Sequence, residues 1–327
     1  MEKKRHHFVA ETYLSYFCND ARKLCVYFKD KKGEFQFIIP DAIGFEKYYY
    51  SQPLPGGGRN NNAIEDFFEK IETKWQPLVQ KIESRKPLGR DDKITLLEFV
   101  LLHRVRVPTA RDAAEKMLAE RVKLELLHLV DTGSIPPPPE ILGDIADTVK
   151  VAIDPHMSIH AMAHMAQGVA KIFDAIGFEL LENKTTETFL TSDNPVIYFD
   201  PTIQSAEPYK ISRERLDIEF MFPITPHFLL WGHSALRGTA NQYNTVPYQD
   251  LIDGGFVERA NTMIVRFAHR TVFSNSSKHQ KLVQSLAARS PTLSATHIKT
   301  KRGRGLYFQS HFGTRQPKPR WKESGSK

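Results

Sequence analysis

A chain of 327 residues, 41 % hydrophobic and 25 % charged, has the size and balance of an ordinary globular protein that buries a large core without disulfide staples. No stretch reaches the roughly 20 apolar residues of a membrane span, and Met1-Glu2-Lys3-Lys4-Arg5-His6-His7 lacks the apolar core of a secretory signal, so no membrane partner and a cytoplasmic location are expected. The net charge of +7 is concentrated at one end: from Lys299 onward nine basic residues meet the single acid Glu323, a local +8 that leaves the preceding 298 residues at −1.

Cys18 and Cys25 are too few and too widely spaced for a zinc site, and free thiols are expected. Leu24–Phe28 and Glu34–Ile39 are short β-prone runs around Lys31-Lys32-Gly33 and predict a hairpin. Pro53-Leu54-Pro55-Gly56-Gly57-Gly58 followed by Arg59-Asn60-Asn61-Asn62 is a loop by composition; no Lys-Ser/Thr pair follows, as a phosphate loop requires. Apolar residues from Ile64 to Ile82 recur at helical spacing and predict one helix over Ala63–Glu83. Asp91–Val130 is helical too, divided at Pro108. Ser134-Ile135-Pro136-Pro137-Pro138-Pro139 is a stiff connector, after which a helix over Pro155–Ile176 leads into strands at Phe178–Leu181, Glu187–Leu190, Val196–Phe199, Glu219–Phe222 and Phe228–Trp231. A helix over Tyr248–Ala268 follows, and Thr271–Phe273 and Lys278–Ala287 close the fold.

Strands and helices come in blocks, which favours α+β: a mostly helical N-terminal half, then a mixed or antiparallel sheet with packed helices. The expected organisation is one large domain over 1–298, with a helical part about 1–133, the connector 134–139 and an α+β part 140–298. Residues 299–327, punctuated by glycine and proline, read as a flexible basic tail that would attract nucleic acid without sequence preference.

Several residues have chemistry to offer. His6 and His7 head an aromatic segment, Phe8 to Phe17, that should dock and so hold two imidazoles able to act as bases or metal ligands. Arg104, Arg106 and Arg111 bracket the Pro108 break, where guanidinium groups could clamp a phosphate or pair with Glu69, Glu72 or Asp112. Thr191-Ser192-Asp193-Asn194-Pro195-Val196 lies between strand-like runs; Asp193 either caps a tight turn or serves as base or metal ligand. His156, His160 and His164 share one helical face, but Met157-Ser158 replaces the Glu of a metalloprotease helix, so a polar face is favoured over a metal site.

The His6-His7-Phe8-Val9 opening, the Tyr13/Leu14/Phe17 pattern, Ile71-Glu72, Arg106 with Arg111 and Thr191 through Val196 occur in an order that resembles the "domain of unknown function 4238" family over about residues 6–285. Phe222 through Pro226, Asn261 and Ala268 through Ser274 resemble its later landmarks, while Ala10 stands where that family usually has proline. The resemblance implies an architecture and a shortlist of residues, without an activity. On that shortlist His6, His7, Glu72 and Asp193 are candidate catalytic residues, Arg106, Arg111, Asn194 and Asn261 candidate substrate ligands, and His7, Glu72 and Asp193 candidate ligands of a divalent metal. Two functions are expected from them: a metal-dependent hydrolase of a phosphodiester or nucleotide, or a non-catalytic module that binds nucleic acid or another ligand.

Overall fold

A computed structural model describes residues 2–137, 139, 148–202, 207–210, 217–238, 245–300 and 303–319. The chain is α+β. Its strands are β1 (Arg5–His7), β2 (Leu24–Phe28), β3 (Glu34–Ile38), β4 (Phe45–Lys47), β5 (Gln52–Pro53), β6 (Arg59–Asn60), β7 (Gly177–Asn183), β8 (Thr191–Ser192), β9 (Ile197–Phe199), β10 (Glu219–Pro223), β11 (Phe228–His233), β12 (Tyr248–Leu251), β13 (Thr271–Ser274), β14 (Ser290–Thr300) and β15 (Gly303–Gly313). Its helices are α1 (Glu11–Leu14), α2 (Ala63–Glu72), α3 (Trp75–Glu83), α4 (Arg90–Val105), α5 (Pro108–Asp131), α6 (Pro155–Ala175), α7 (Gly254–Phe267) and α8 (Gln280–Ser285).

A five-stranded sheet runs β12-β7-β11-β10-β9, antiparallel except where β12 lies parallel to β7. A four-stranded antiparallel sheet runs β3-β2-β13-β8, so the N-terminal hairpin completes a sheet begun by the C-terminal half. Gly33 closes that hairpin at φ +78°, and a Cβ there would stand 3.0 Å from the Gln284 backbone, so only glycine fits both the angle and the space. The largest core cluster draws Val9, Tyr13, Trp75 and Phe99 together with Phe178, Phe220 and Phe222, which ties both halves into one hydrophobic interior. At its centre the Trp75 and Phe99 rings stack 3.8 Å apart, and the Tyr13 hydroxyl donates to Pro223 O at 2.7 Å. A second cluster packs α7 residues Val257, Ile264 and Phe267 against Leu229 and Val272 of the two sheets.

Four expectations change. The helix over Ala63–Glu83 is two helices, α2 and α3, because Pro77 lacks an amide proton and its ring would strike the carbonyl of Thr73. Glu187–Leu190 is not a strand: the Asn261 side chain takes its backbone bonds, accepting from Leu190 N at 2.8 Å and donating to Thr188 O at 2.9 Å. Tyr248–Leu251 is β12, and α7 begins only at Gly254, where Asp253 caps it by accepting from Gly255 N at 2.9 Å. Of the tail expected from 299, residues 299–300 and 303–313 belong to a β-ribbon: β14 and β15 pair from Ser290↔Gly313 to Thr300↔Gly303 and pack on α5, so the boundary at 298 falls inside a strand. Acids hold the ribbon's charge, with Arg304 Nε 2.5 Å from Asp131 and His297 2.8 Å from Glu120. Pro138 of the connector, residues 140–147 and the tail beyond Pro319 lie outside the described residues.

One turn places the candidate site. Asp193 follows β8 and is 2 % exposed; its Oδ1 accepts from His269 N at 2.7 Å, and its Oδ2 from Arg270 N at 2.7 Å and Thr271 N at 2.9 Å. The carboxylate thereby satisfies the three successive amides of His269, Arg270 and Thr271 between α7 and β13, and charge-assisted bonds of this kind are the strong ones. Asp193→Asn, which turns an amide nitrogen toward these donors, should lower stability by about 2–4 kcal/mol. A urea titration checks this: the midpoint should fall at unchanged slope, and an unchanged midpoint would show that the turn does not need the charge.

Candidate functional site

The residues singled out in the sequence fall into separate networks. His6 is buried in backbone bonds, its Nδ1 accepting from Tyr50 N at 2.8 Å and its Nε2 donating to Lys3 O at 3.0 Å. Burial lowers its pKa, so it stays neutral. His7, Glu72 and Arg106 do come together. Arg106, 1 % exposed, donates from Nη1 to Glu72 Oε1 at 2.5 Å and from Nη2 to His103 Nε2 at 2.9 Å. His103 also accepts from Ala10 N at 3.2 Å on that nitrogen and donates from Nδ1 to Phe99 O at 2.9 Å, which fixes its tautomer. His7 leaves Nε2 buried without a hydrogen bond, and burial followed by the Arg106 charge lowers its pKa.

Glu65 joins this group and was missed in the sequence. It lies two helical turns before Glu72 on α2, a spacing that puts both carboxylates on one face. Its Oε1 is buried without a partner, and burial pushes its carboxyl up to about 7, against the pull of Arg106.

Asp193 belongs elsewhere, as do the remaining candidates. Arg111 is consumed structurally: Nε donates to Ser158 Oγ at 2.9 Å, Nη1 to Tyr49 O at 2.5 Å and Nη2 to Pro155 O at 2.7 Å. Three of its five N–H donors are thus committed within the fold, where they clamp α5 to α6. Asn194 donates from Nδ2 to Tyr209 Oη at 2.6 Å and to Phe267 O at 2.7 Å, and Asn261 holds the 188–190 segment. The metal set His7, Glu72 and Asp193 is therefore split, because both oxygens of Asp193 already serve backbone amides. His160 and His164 are exposed along α6, and among the described residues no group of three or more His, Cys, Asp or Glu side chains is arranged to hold a metal ion.

Asp193 and Asn194 bond to His269 and Tyr209, and Arg111 reaches Glu115 through Ser158; these three partners line a cavity of about 340 Å³. Its walls are α5, the 149–153 segment, the β14–β15 ribbon and residues 315–319. His269 enters it from the Asp193 turn. The imidazole is 3 % exposed, neither ring nitrogen is hydrogen-bonded, and Nε2 stands 3.4 Å from Asp112 Oδ2. Burial alone would raise the Asp112 pKa; the His269 contact and the Lys318 ammonium outweigh it and hold the carboxyl well below the usual range. Asp112 is thus an anion beside a buried imidazole, an arrangement that orients the ring. Arg104 lies 3.7 Å over the Tyr209 ring with its Nε unpartnered, and Lys116 and Lys123 add positive charge to the α5 wall. Burial raises the Tyr209 pKa, so that the ring keeps its phenolic proton. The chain Arg111, Ser158, Glu115 reaches the cavity from behind, with Ser158 Oγ 3.2 Å from Glu115 Oε1.

A family model described as "Protein of unknown function (DUF4238)" matches residues 5–278. The chain belongs to this family. The DUF4238 match takes in Arg104, Asp112, Glu115, Tyr209 and His269, whereas the ribbon and the 315–319 segment that complete the cavity lie beyond it. No curated protein and no solved structure matches the chain. Of the cavity residues in the DUF4238 portion, Arg104 and Asp112 stood near the Pro108 break in the sequence, and His269 lay within the Ala268–Ser274 landmark with no pattern to mark it as reactive.

The Glu65 group predicts a pH dependence of stability. The folded-state pKa of about 7 exceeds the ordinary 4.5, so folding favours the protonated form; stability falls as pH rises from about 4.5 to 7 and stays lower above that. Glu65→Gln mimics the protonated acid and should gain about 1–2 kcal/mol at pH 8, with the difference shrinking toward pH 4. Denaturation curves at the two pH values check this, and equal stability at pH 8 would contradict it.

Proposed function

We propose that the protein is a hydrolase acting on a phosphate ester of nucleotide size, with its centre in the cavity beside α5. The observation that carries this reading is His269: a buried imidazole whose Nδ1 has no partner and whose Nε2 stands 3.4 Å from a carboxylate, in a cavity whose volume of about 340 Å³ suits a small ligand. With the Nε2 proton directed at Asp112, Nδ1 carries the lone pair and takes a proton from water. The water oxygen forms a bond to phosphorus as the bond to the leaving oxygen breaks, and the imidazolium returns its proton to that oxygen. Arg104, assisted by Lys116 and Lys123, balances the charge that gathers on the phosphoryl oxygens. No step passes through a metal, since the ligands expected from the sequence belong to different networks.

The nucleic-acid-binding alternative is less well supported, because the described tail cations already have acidic partners. Lys299 and Arg304 pair with Asp131, Arg315 with Asp30, and Lys318 with Asp112 and Glu115. A polyanion would have to compete with each of these carboxylates.

Hydrolysis of p-nitrophenyl phosphate, bis(p-nitrophenyl) phosphate and nucleoside monophosphates tests the proposal. His269→Gln should lower kcat by about 10²–10⁴-fold, the usual contribution of a positioned acid–base group. Arg104→Met should lower kcat as well as kcat/KM, since the charge it balances develops in the transition state. Full activity in His269→Gln, or no turnover of any of these substrates by the unaltered protein, would overturn the reading.

A further inference from the structure

The cavity holds one feature that phosphate chemistry leaves unused. Lys318, carried in by the 315–319 segment, places its Nζ 2.7 Å from Asp112 Oδ1 and 2.7 Å from Glu115 Oε2. The two carboxylates sit one helical turn apart on α5, where like charges repel unless a cation lies between them. On its other oxygen Asp112 stands 3.4 Å from His269 Nε2, and Glu115 accepts from Ser158 Oγ at 3.2 Å. The buried and unbonded His269 imidazole faces the same point. Asp112, Glu115 and His269 all belong to the family-matched part of the chain, and Lys318 lies 40 residues beyond its end at 278.

We propose that Asp112 and Glu115 form a subsite for the primary ammonium group of a ligand, and that Lys318 fills it from within the chain. An ammonium is a compact charge with three donors, and here it makes two charge-assisted bonds of ordinary length. A divalent metal would need further ligands in a closed shell, and the described residues offer no such group. The cavity ligand then carries a protonated amine in addition to its anionic part, and the 315–319 segment must leave for that amine to enter. The inference rests on the cavity being a ligand site, and its test reads amine binding alone, so it can fail while phosphate-ester hydrolysis stands, and the reverse.

Calorimetric titration of the full chain with n-butylammonium chloride, at ionic strength held constant with tetramethylammonium chloride, tests the competition. Lys318→Met should bind the probe at least about ten-fold more tightly than the unaltered protein, because an internal competitor reduces apparent affinity by the fraction of open sites. Adding Glu115→Gln to Lys318→Met should abolish the gain, and manganese chloride should bind neither form. Equal affinities with and without Lys318, no binding of the amine to either, or binding of manganese in its place would overturn the proposal. In the unaltered protein the amine should also speed amide exchange at Gln316 and Lys318; unchanged exchange at saturating amine counts against it, independently of how the variants fold.

Discussion

The carboxylate of Asp193 is the constraint on which the candidate site depends. Three backbone amides in succession, His269, Arg270 and Thr271, converge on its two oxygens, and no neutral side chain of that size could satisfy all three. The neighbouring contacts reinforce the turn. Lys29 donates from Nζ to Val265 O at 2.8 Å, Ala268 O at 3.0 Å and Arg289 O at 2.5 Å, tying the end of α7 to the start of the ribbon. Burial lowers the Lys29 pKa to about 8, with the Asp193 charge opposing the fall. Ser290 Oγ donates to His269 O at 3.1 Å. His269 is therefore bonded through both its backbone groups while its ring faces Asp112 with Nε2 and leaves Nδ1 without a partner, the combination that a preorganised acid–base residue needs.

The opposite wall is held by similar means. Pro108 opens α5 with a residue that needs no amide partner, and Arg111, one turn on, uses three nitrogens to fasten that helix to Tyr49, Pro155 and Ser158. Asp112, Glu115 and Lys116 follow on the same helix, so their positions in the cavity derive from the anchoring of its first turn. Asn194 extends the Asp193 turn toward the cavity through Tyr209, whose ring lies beneath Arg104. Of the polar residues that stood out in the sequence, Asp193, Arg111 and Asn194 thus position His269, α5 and Tyr209.

Much of the fold was legible from local pattern. The 24–38 hairpin, the break at Pro108 and the α6 helix follow from alternation, proline and helical periodicity, which act over a few residues. What was not legible was long-range. Glu187–Leu190 has strand-like composition but meets a side-chain amide from α7 in place of a neighbouring strand. Tyr248–Leu251 becomes a strand because the edge of β7 lies beside it, and the glycines of the 303–313 segment read as breakers although they sit opposite Ile298, Thr300 and Ser290 in the ribbon. The site behaves likewise. Asp193 and Arg111 have side chains that could serve a ligand or the backbone with equal chemical ease, and only the packed structure shows that backbone groups reach them. His269 carried no signal, since a lone histidine after Phe267-Ala268 has no spacing that distinguishes a buried base from a surface residue.

The central claim, that the His269 cavity is where this protein meets its ligand, is tested most directly by observing the histidine side chains during addition of adenosine monophosphate. In a heteronuclear NMR titration the ring signals of His269 should shift saturably, while those of the exposed His160 and His164 on α6 stay in place. Shifts confined to other histidines, or none at His269 up to saturating nucleotide, would contradict the account.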